Sequence, residues 1–326
     1  MDHAVIASTG KYLPEYVLKN EDMVQFSPEA RRLIGEKTGV YERHYAAEGQ
    51  CTSDLAIKAA LDCLEKAGCP AGEIDGIIVA TSSPDRIQPA TATRVQDLIG
   101  ANRAFAFDIN SVCSGGTFGI AVADSLIRAG SCRTVLLIAS EVYSRILNNK
   151  DFSTYPYFGD GAAAVLFRAV PDTGRGVINS RLATNGSGRD KICVPGGGTQ
   201  LPFDKMPSPR SAYFRMKGPD VFDFAVEKGP EIILELVREA GVSLGDVKCF
   251  ICHQANINII YKIADVLNMP RDSFYVNLHR YGNTAGASVL IALDEALSEK
   301  AAAEGDLVVT AAFGGGLSWG ANLLRI

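Results

Sequence analysis

Cys113 stands in the segment AFAFDINSVCSGGTFGIAVADSL, at the end of an apolar, strand-like run and just ahead of a helix that opens with Ser114, Gly115 and Gly116. A thiol so placed meets unpaired backbone N–H groups and the positive end of the helix dipole, which favour the thiolate. The small residues leave room for a substrate carbonyl to reach the same N–H groups. The chemistry suggested is nucleophilic attack on a carbonyl carbon, against the plainer alternative of a buried structural cysteine. His253 follows the strand-like KCFIC and opens a helical pattern. At a strand tip an imidazole reaches a cleft as base or hydrogen-bond donor, unless it is a satisfied structural histidine. Asn283, in RYGNTAGAS, occupies a helix N-cap position. There it either caps the helix or offers an amide N–H to developing negative charge. The run FGGGLSWG, Phe313 to Gly320, ends another apolar strand with three glycines, which permit unusual dihedrals and close backbone approach.

A competing motif overlaps the histidine. Cys249-Phe250-Ile251-Cys252-His253 fits the C-x-x-C-H pattern of covalent haem attachment and the C-x-x-C pattern of redox pairs. The motif lies inside an apolar strand, where residues three apart point to opposite faces, whereas redox pairs usually open a helix. No second Cys/His pair has the spacing of a zinc site, and no metal is expected.

These residues need elements that bring them together. Short apolar runs read as strands at Val5–Thr9, Gly76–Thr81, Ala104–Ile109, Thr134–Ser140 and Ala162–Phe167, with helix-like stretches at 53–68, 91–100 and 114–129 between them. The second half repeats the scheme, with strands at 175–184, 247–252, 273–276, 306–312 and 319–325 and helices near 219–240, 256–267 and 284–302. Such alternation predicts an α/β sandwich with buried, largely parallel strands. GEIDGIIVATSS, from Gly72, lies over GDVKCFICHQAN, from Gly245, and each half goes on to a helix of small residues. A duplicated α/β unit, with equivalent helix starts meeting at one central cleft, follows as the expectation. Residues 185–218, rich in Gly, Pro and Ser, read as a long surface loop that shapes a binding site.

Composition narrows the function further. Of 326 residues 47% are hydrophobic and 21% charged, which supports a large core and excludes general disorder. With 32 basic against 37 acidic residues the net charge is −5, which speaks against sequence-independent nucleic-acid binding. No apolar stretch approaches the roughly 18 residues of a membrane span, and the N-terminal residues lack signal-peptide features, so a cytoplasmic protein is expected. Eight cysteines are too sparse for a disulfide scaffold.

Taken together, Cys113, His253 and Asn283 resemble the reactive residues of the β-ketoacyl-ACP synthase III family of the thiolase superfamily. STGKYLPE, TGVYERHYA, the Cys113 segment, YFGDGAAAVLF, RMKGPDVF, CHQAN, RYGNTAGAS and AFGGGLSWG fall in the family's order from end to end. The resemblance implies a thiolase-like five-layered αβαβα fold, with a nucleophile half at 1–171 and a His/Asn half at 172–326, usually as a homodimer. It implies that Cys113 takes an acyl group as a thioester, and that His253 and Asn283 assist decarboxylation of a malonyl extender. The N–H groups of Cys113 and Gly315 match the oxyanion hole, and Phe313 an aromatic beside the nucleophile. CoA or phosphopantetheine thioesters are then the substrates, acyl-CoA or an acyl carrier protein the partner, and no cofactor is needed.

Several positions depart from the family pattern. Leu33 stands where starter enzymes carry a tryptophan that stacks on adenine, and Lys37 replaces the neighbouring arginine. Asn258 takes a position usually basic for carrier docking, Asp265-Val266 a lysine pair, and Gln88 an aromatic that closes the acyl pocket across the dimer. Arg31, Arg32, Lys205, Arg210, Arg215 and Lys217 remain as basic residues for an acidic carrier or CoA phosphate. The departures point to polyketide, other secondary or specialised fatty-acid biosynthesis rather than housekeeping priming. Transfer of the acyl group to a hydroxyl or amine is the alternative.

Overall fold

The computed structural model describes residues 2–171 and 174–326. The first half runs β1 (Asp2–Tyr12), β2 (Tyr16–Lys19), α1 (Pro28–Thr38), β3 (Glu42–Tyr45), α2 (Thr52–Ala67), β4 (Gly76–Ala80), α3 (Thr91–Leu98), β5 (Phe105–Ile109), α4 (Gly115–Arg128), β6 (Thr134–Glu141) and β7 (Gly161–Pro171). The second half continues with β8 (Gly176–Thr184), β9 (Ile192–Cys193), β10 (Arg215–Met216), α5 (Gly218–Glu239), β11 (Val247–Cys252), α6 (Ile257–Leu267) and α7 (Leu278–Tyr281). It ends with α8 (Ser288–Ser298), β12 (Leu307–Gly314) and β13 (Ser318–Arg325).

Two sheets carry the molecule. The first has the order β1-β7-β6-β4-β5, parallel around β4 and antiparallel from β6 through β7 to β1. The second, β8-β13-β12-β11, repeats those directions strand for strand. Its fifth place holds only a parallel bridge between Phe250 and Phe274. The strand expected at 273–276 is therefore absent, because the 3-10 turn Arg271–Ser273 behind Pro270 uses up the residues that would extend it. Thr134 to Leu307, where β6 and β12 begin, and Gly115 to Ser288, where α4 and α8 begin, both span 173 residues. Gly72 to Gly245 spans the same number, so the expected duplication keeps one register through this region.

Strand residues alternate between layers. Ile77, Val79, Leu136 and Ile138 face Ala59 and Cys63 of α2 and Ala92 and Val95 of α3. Their neighbours Ile78, Ala80, Leu137 and Ala139 face α4 and α8, which also cover Cys249, Ile251, Val308 and Ala312 of the second sheet. The far face of that sheet, with Phe250, Cys252, Val309 and Ala311, meets Ile232, Ile233 and Leu236 of α5 and Ile260 and Ile263 of α6. The result is the five-layered αβαβα sandwich. Strands covered on both faces read as continuous apolar runs, and helices in the middle layer must be apolar all round. Ser288 to Ala296 of α8 is buried without a break, and the two acids that interrupt its apolar surface, Asp294 and Glu295, are met by Thr9, Lys11 and Arg280.

The central helices touch where side chains are smallest. A Cβ on Gly116 would lie 2.7 Å from the Gly286 carbonyl oxygen, so the start of α4 can abut the turn before α8 only as glycine. The segment 185–218 is the expected loop, tied by the two-residue pair β9–β10 and short 3-10 turns. The junction expected between 171 and 172 falls at Asp172, outside the described residues. Among the described residues no helix is long and apolar enough to cross a membrane.

Candidate active site

Cys113 lies in the middle of a 3-10 turn, Val112–Ser114, that feeds α4. Val112 starts the turn with φ at +49°. The thiol residue is buried, and Gly314 at the end of β12 rests against its backbone. A Cβ on Gly314 would come within 2.8 Å of the Cys113 nitrogen, which explains why this strand ends in glycines. Ser318 ties the two elements: its hydroxyl donates to the Gly315 carbonyl at 2.9 Å, and its own carbonyl accepts from the Ser114 hydroxyl at 3.0 Å. Ser318 is a site residue that sequence reasoning missed, although its place in FGGGLSWG was the available signal.

His253 is buried just beyond β11, and its ring stands edge-on to that of Phe313 with centroids 6.1 Å apart. Its Nδ1 lies 2.7 Å from the hydroxyl of Ser288, the first residue of α8. That hydroxyl also accepts from the Gln254 N–H at 3.4 Å and keeps one hydrogen, whose donation to Nδ1 would put the imidazole proton on Nε2. Burial holds the imidazole pKa down to about 3, so it is neutral at pH 7. Ser288 was also not singled out from the sequence; it sits within TAGAS, beside Asn283.

Asn283 is held by its backbone, which donates to Tyr157 at 2.8 Å and accepts from Gly159 at 3.1 Å. Its Oδ1 accepts from the Ala285 N–H at 2.9 Å, which fixes the carboxamide and keeps its Nδ2 hydrogens for another acceptor. Ala285, with φ at +44°, packs in one cluster with Cys113, Tyr143, Phe158, Phe214 and Leu317. A Cβ on Gly286 would lie 2.9 Å from the Val112 carbonyl oxygen. The two turns thus press together, and the Phe313–Gly315 strand end spans the gap between Cys113 and His253.

The thiol itself corrects an expectation. Burial pushes Cys113 up to about 12, and the negative charge of Glu141 adds to the shift, so the resting group is the thiol rather than the thiolate. Desolvation outweighs the helix start because the residue has almost no contact with water. Glu141, fully buried at the end of β6, accepts from the Ser82 and Ser83 hydroxyls at 2.9 and 2.5 Å and from both backbone N–H groups. Burial still raises its carboxyl to about 7.

The outer candidates divide into two places. Lys37 and Asn258 meet where α1 ends and α6 begins, the Asn258 Nδ2 donating to the Lys37 carbonyl at 2.7 Å. Leu33, 38% exposed, lies on the same helix α1. Gln88 sits elsewhere, exposed on the loop between β4 and α3. Cys249 and Cys252 face different layers, central and outer, and burial pushes their thiols up to about 11 and about 12. Among the described residues no group of three or more His, Cys, Asp or Glu side chains is arranged to hold a metal.

Comparison with known proteins agrees with this architecture. Residues 107–186 match the family described as 3-Oxoacyl-[acyl-carrier-protein (ACP)] synthase III, and residues 237–326 match its C-terminal region. The chain is 41% identical over 320 residues to the β-ketoacyl-[acyl-carrier-protein] synthase III of Xanthomonas campestris, covering 98% of this chain and 97% of that protein. It is 38% identical over 327 residues to that of Clostridium perfringens, covering 100% of each. The crystal structure of the Aquifex aeolicus 3-oxoacyl-[acyl-carrier-protein] synthase III superposes with a TM-score of 0.90 at 37% identity, covering 99% of this chain and 100% of that one. A priming β-ketosynthase of a polyketide pathway gives 0.90 at 27% identity, covering 99% and 96%. With its two matched sheets and the paired turns at their centre, the chain belongs to the β-ketoacyl-[acyl-carrier-protein] synthase III family of thiolase-fold condensing acyltransferases.

Proposed function

We propose that Cys113 accepts an acyl group from an acyl-CoA or acyl-carrier thioester and that the chain then condenses it with a malonyl-type thioester. The observation that carries this reading is the meeting of the Val112–Ser114 turn, the Asn283–Gly286 turn and the glycine-lined end of β12 around one buried thiol. In the first step the Cys113 sulfur bonds to the donor carbonyl carbon, the carbon–sulfur bond to the carrier breaks, and the carrier thiol departs with the proton. The N–H groups of Cys113 and Gly315 serve the oxygen that becomes negative. In the second step the malonyl carboxylate leaves as CO2, and its bonding electrons form an enolate. The enolate oxygen is met by the Nε2–H of neutral His253 and the Nδ2–H of Asn283, donors worth about 2.7–4 kcal/mol each when preorganised. The enolate carbon then bonds to the acyl carbon, and the expelled Cys113 sulfur takes up a proton. A sulfur that prefers its proton suits this ending, and each condensation consumes one proton.

The cysteine splits one difficult step into two easier ones and needs no cofactor beyond the pantetheine thioesters themselves. Leu33, Lys37 and Asn258 at the α1–α6 junction, in place of the tryptophan, arginine and basic residue that the family pattern puts there, favour a specialised or polyketide donor over housekeeping priming. The enzyme works in the cytoplasm as a homodimer, supported by the unpaired outer edge of β5, where Phe105 is 44% exposed. Intact-mass spectra after incubation with a panel of acyl-CoA and acyl-carrier thioesters, followed by labelled malonyl thioester, test the reading. An adduct lost in Cys113→Ala and CO2 released with chain extension are expected. Transfer to a hydroxyl or amine without CO2 would overturn the condensation.

A further inference from the structure

Asn110 is to the first half what Asn283 is to the second. The two lie 173 residues apart, the separation that also relates α4 to α8. Each Oδ1 accepts from the backbone N–H two residues ahead, Val112 at 3.2 Å and Ala285 at 2.9 Å. Each of those residues has positive φ and opens the turn into a central helix. The same local geometry therefore fixes the carboxamide oxygen in both halves and keeps the Nδ2 as the donor end.

What differs is the surroundings. Asn283 is buried in the site, whereas Asn110 is exposed to a cavity of about 750 Å3 that it lines with Thr52, Ser82, Ser83, Arg145 and Ile146. Ile146 also packs against the cluster that holds Cys113. The hydroxyl hydrogens of this wall are already spent: Ser82 and Ser83 donate to Glu141, and Thr52 to the Ser83 carbonyl at 2.5 Å. Ser83 also accepts from the Val142 N–H at 2.9 Å, and Ser82 lies 2.9 Å from the Tyr143 hydroxyl, so both serines are committed within the protein. The Asn110 Nδ2 makes no hydrogen bond within the described residues and is a donor three positions from the nucleophile.

Building on the proposed acylation of Cys113, we infer that Asn110 is a specificity residue of the donor site, its Nδ2–H binding an oxygen on the acyl group. The cavity then takes hydroxyacyl or ketoacyl donors in preference to plain alkyl ones. Once an acyl chain fills the cavity and excludes water, a donor aimed at a substrate oxygen penalises the analogue lacking it, because the donor is left without a partner.

Calorimetry on the full-length Cys113→Ser protein separates binding from acyl transfer. 3-Hydroxybutyryl-CoA is expected to bind roughly tenfold tighter than butyryl-CoA. Adding Asn110→Ala, or Asn110→Asp to keep the turn acceptor while removing the donor, is expected to erase that ratio. Equal affinities before the second substitution, or a ratio that survives both, would overturn the inference. A loss of melting temperature with both ligands weakened equally would assign Asn110 to the turn alone and overturn it too. If the ratio behaves as expected but the wild-type Cys113 never acquires an acyl mass, the proposed function falls and the cavity assignment stands.

Discussion

At the scale of single residues the site sets a thiol held protonated by burial beside an imidazole held neutral by burial, and the proposed reaction would divide its two steps between them. Alkylation of Cys113 by iodoacetamide should climb about tenfold per pH unit between 7 and 10, because the thiolate is the nucleophile and the group titrates only at about 12. Glu141→Gln removes the negative charge that helps push the thiol up, so at a given pH the variant should be alkylated faster. Slower alkylation would show that the carboxylate acts on Cys113 through structure instead. His253, with its pKa at about 3, keeps one protonation state from pH 5 to 8 and should put no inflection into malonyl decarboxylation there. Replacing His253 or Asn283 with alanine should slow decarboxylation by about 10²–10³ while Cys113 still acquires its acyl mass. Of these residues Cys113, His253 and Asn283 stood out as candidates because each follows a strand or caps a helix, but chain position left a structural reading open for each, and their proposed roles came from the family resemblance. The resting charge of Cys113 was not legible, because helix direction can be read from sequence but exclusion from water cannot. Glu141 ends the run TVLLIASE and Ser288 ends TAGAS, and neither discloses its partner without the neighbouring sheet.

Among the elements, the contact between the start of α4 and the turn before α8 is the most exacting. Gly116→Ala would drive a methyl to 2.7 Å from the Gly286 oxygen and 3.1 Å from Leu290. Overpacking of this kind costs about 1–3 kcal/mol, so thermal unfolding should begin several degrees lower, with turnover reduced at temperatures where the chain is still folded. An unchanged melting curve would mean that the two helices separate freely. The strands and helices of both sheets could be anticipated because each apolar run is the length of one buried strand. The ribbon β2–β3 and helix α1 were missed. Four-residue strands carry no usable periodicity, and α1, PEARRLIGEKT, exposes most of its surface. The strand expected at 273–276 failed for the opposite reason: apolar residues were present, but a turn consumed the hydrogen-bonding positions.

For the whole molecule, the unpaired side of β5 is the open question that the sheet order poses. An edge strand with exposed backbone groups is a template for another strand, and Ile87, Leu98 and Phe105 leave apolar surface beside it, 71%, 54% and 44% exposed. Sedimentation should give about twice the 34.8 kDa chain mass, and Phe105→Lys should shift the species toward the monomer. A wild-type monomer at micromolar concentration would remove this assignment. The repeat has a different consequence. Because the sulfur comes from one half and the imidazole and carboxamide from the other, any loosening between halves disperses the reacting groups at once. Under the proposed condensation a molecule loosened between its halves loses chain extension even where its sulfur still loads, and heat should extinguish turnover no later than it melts either half.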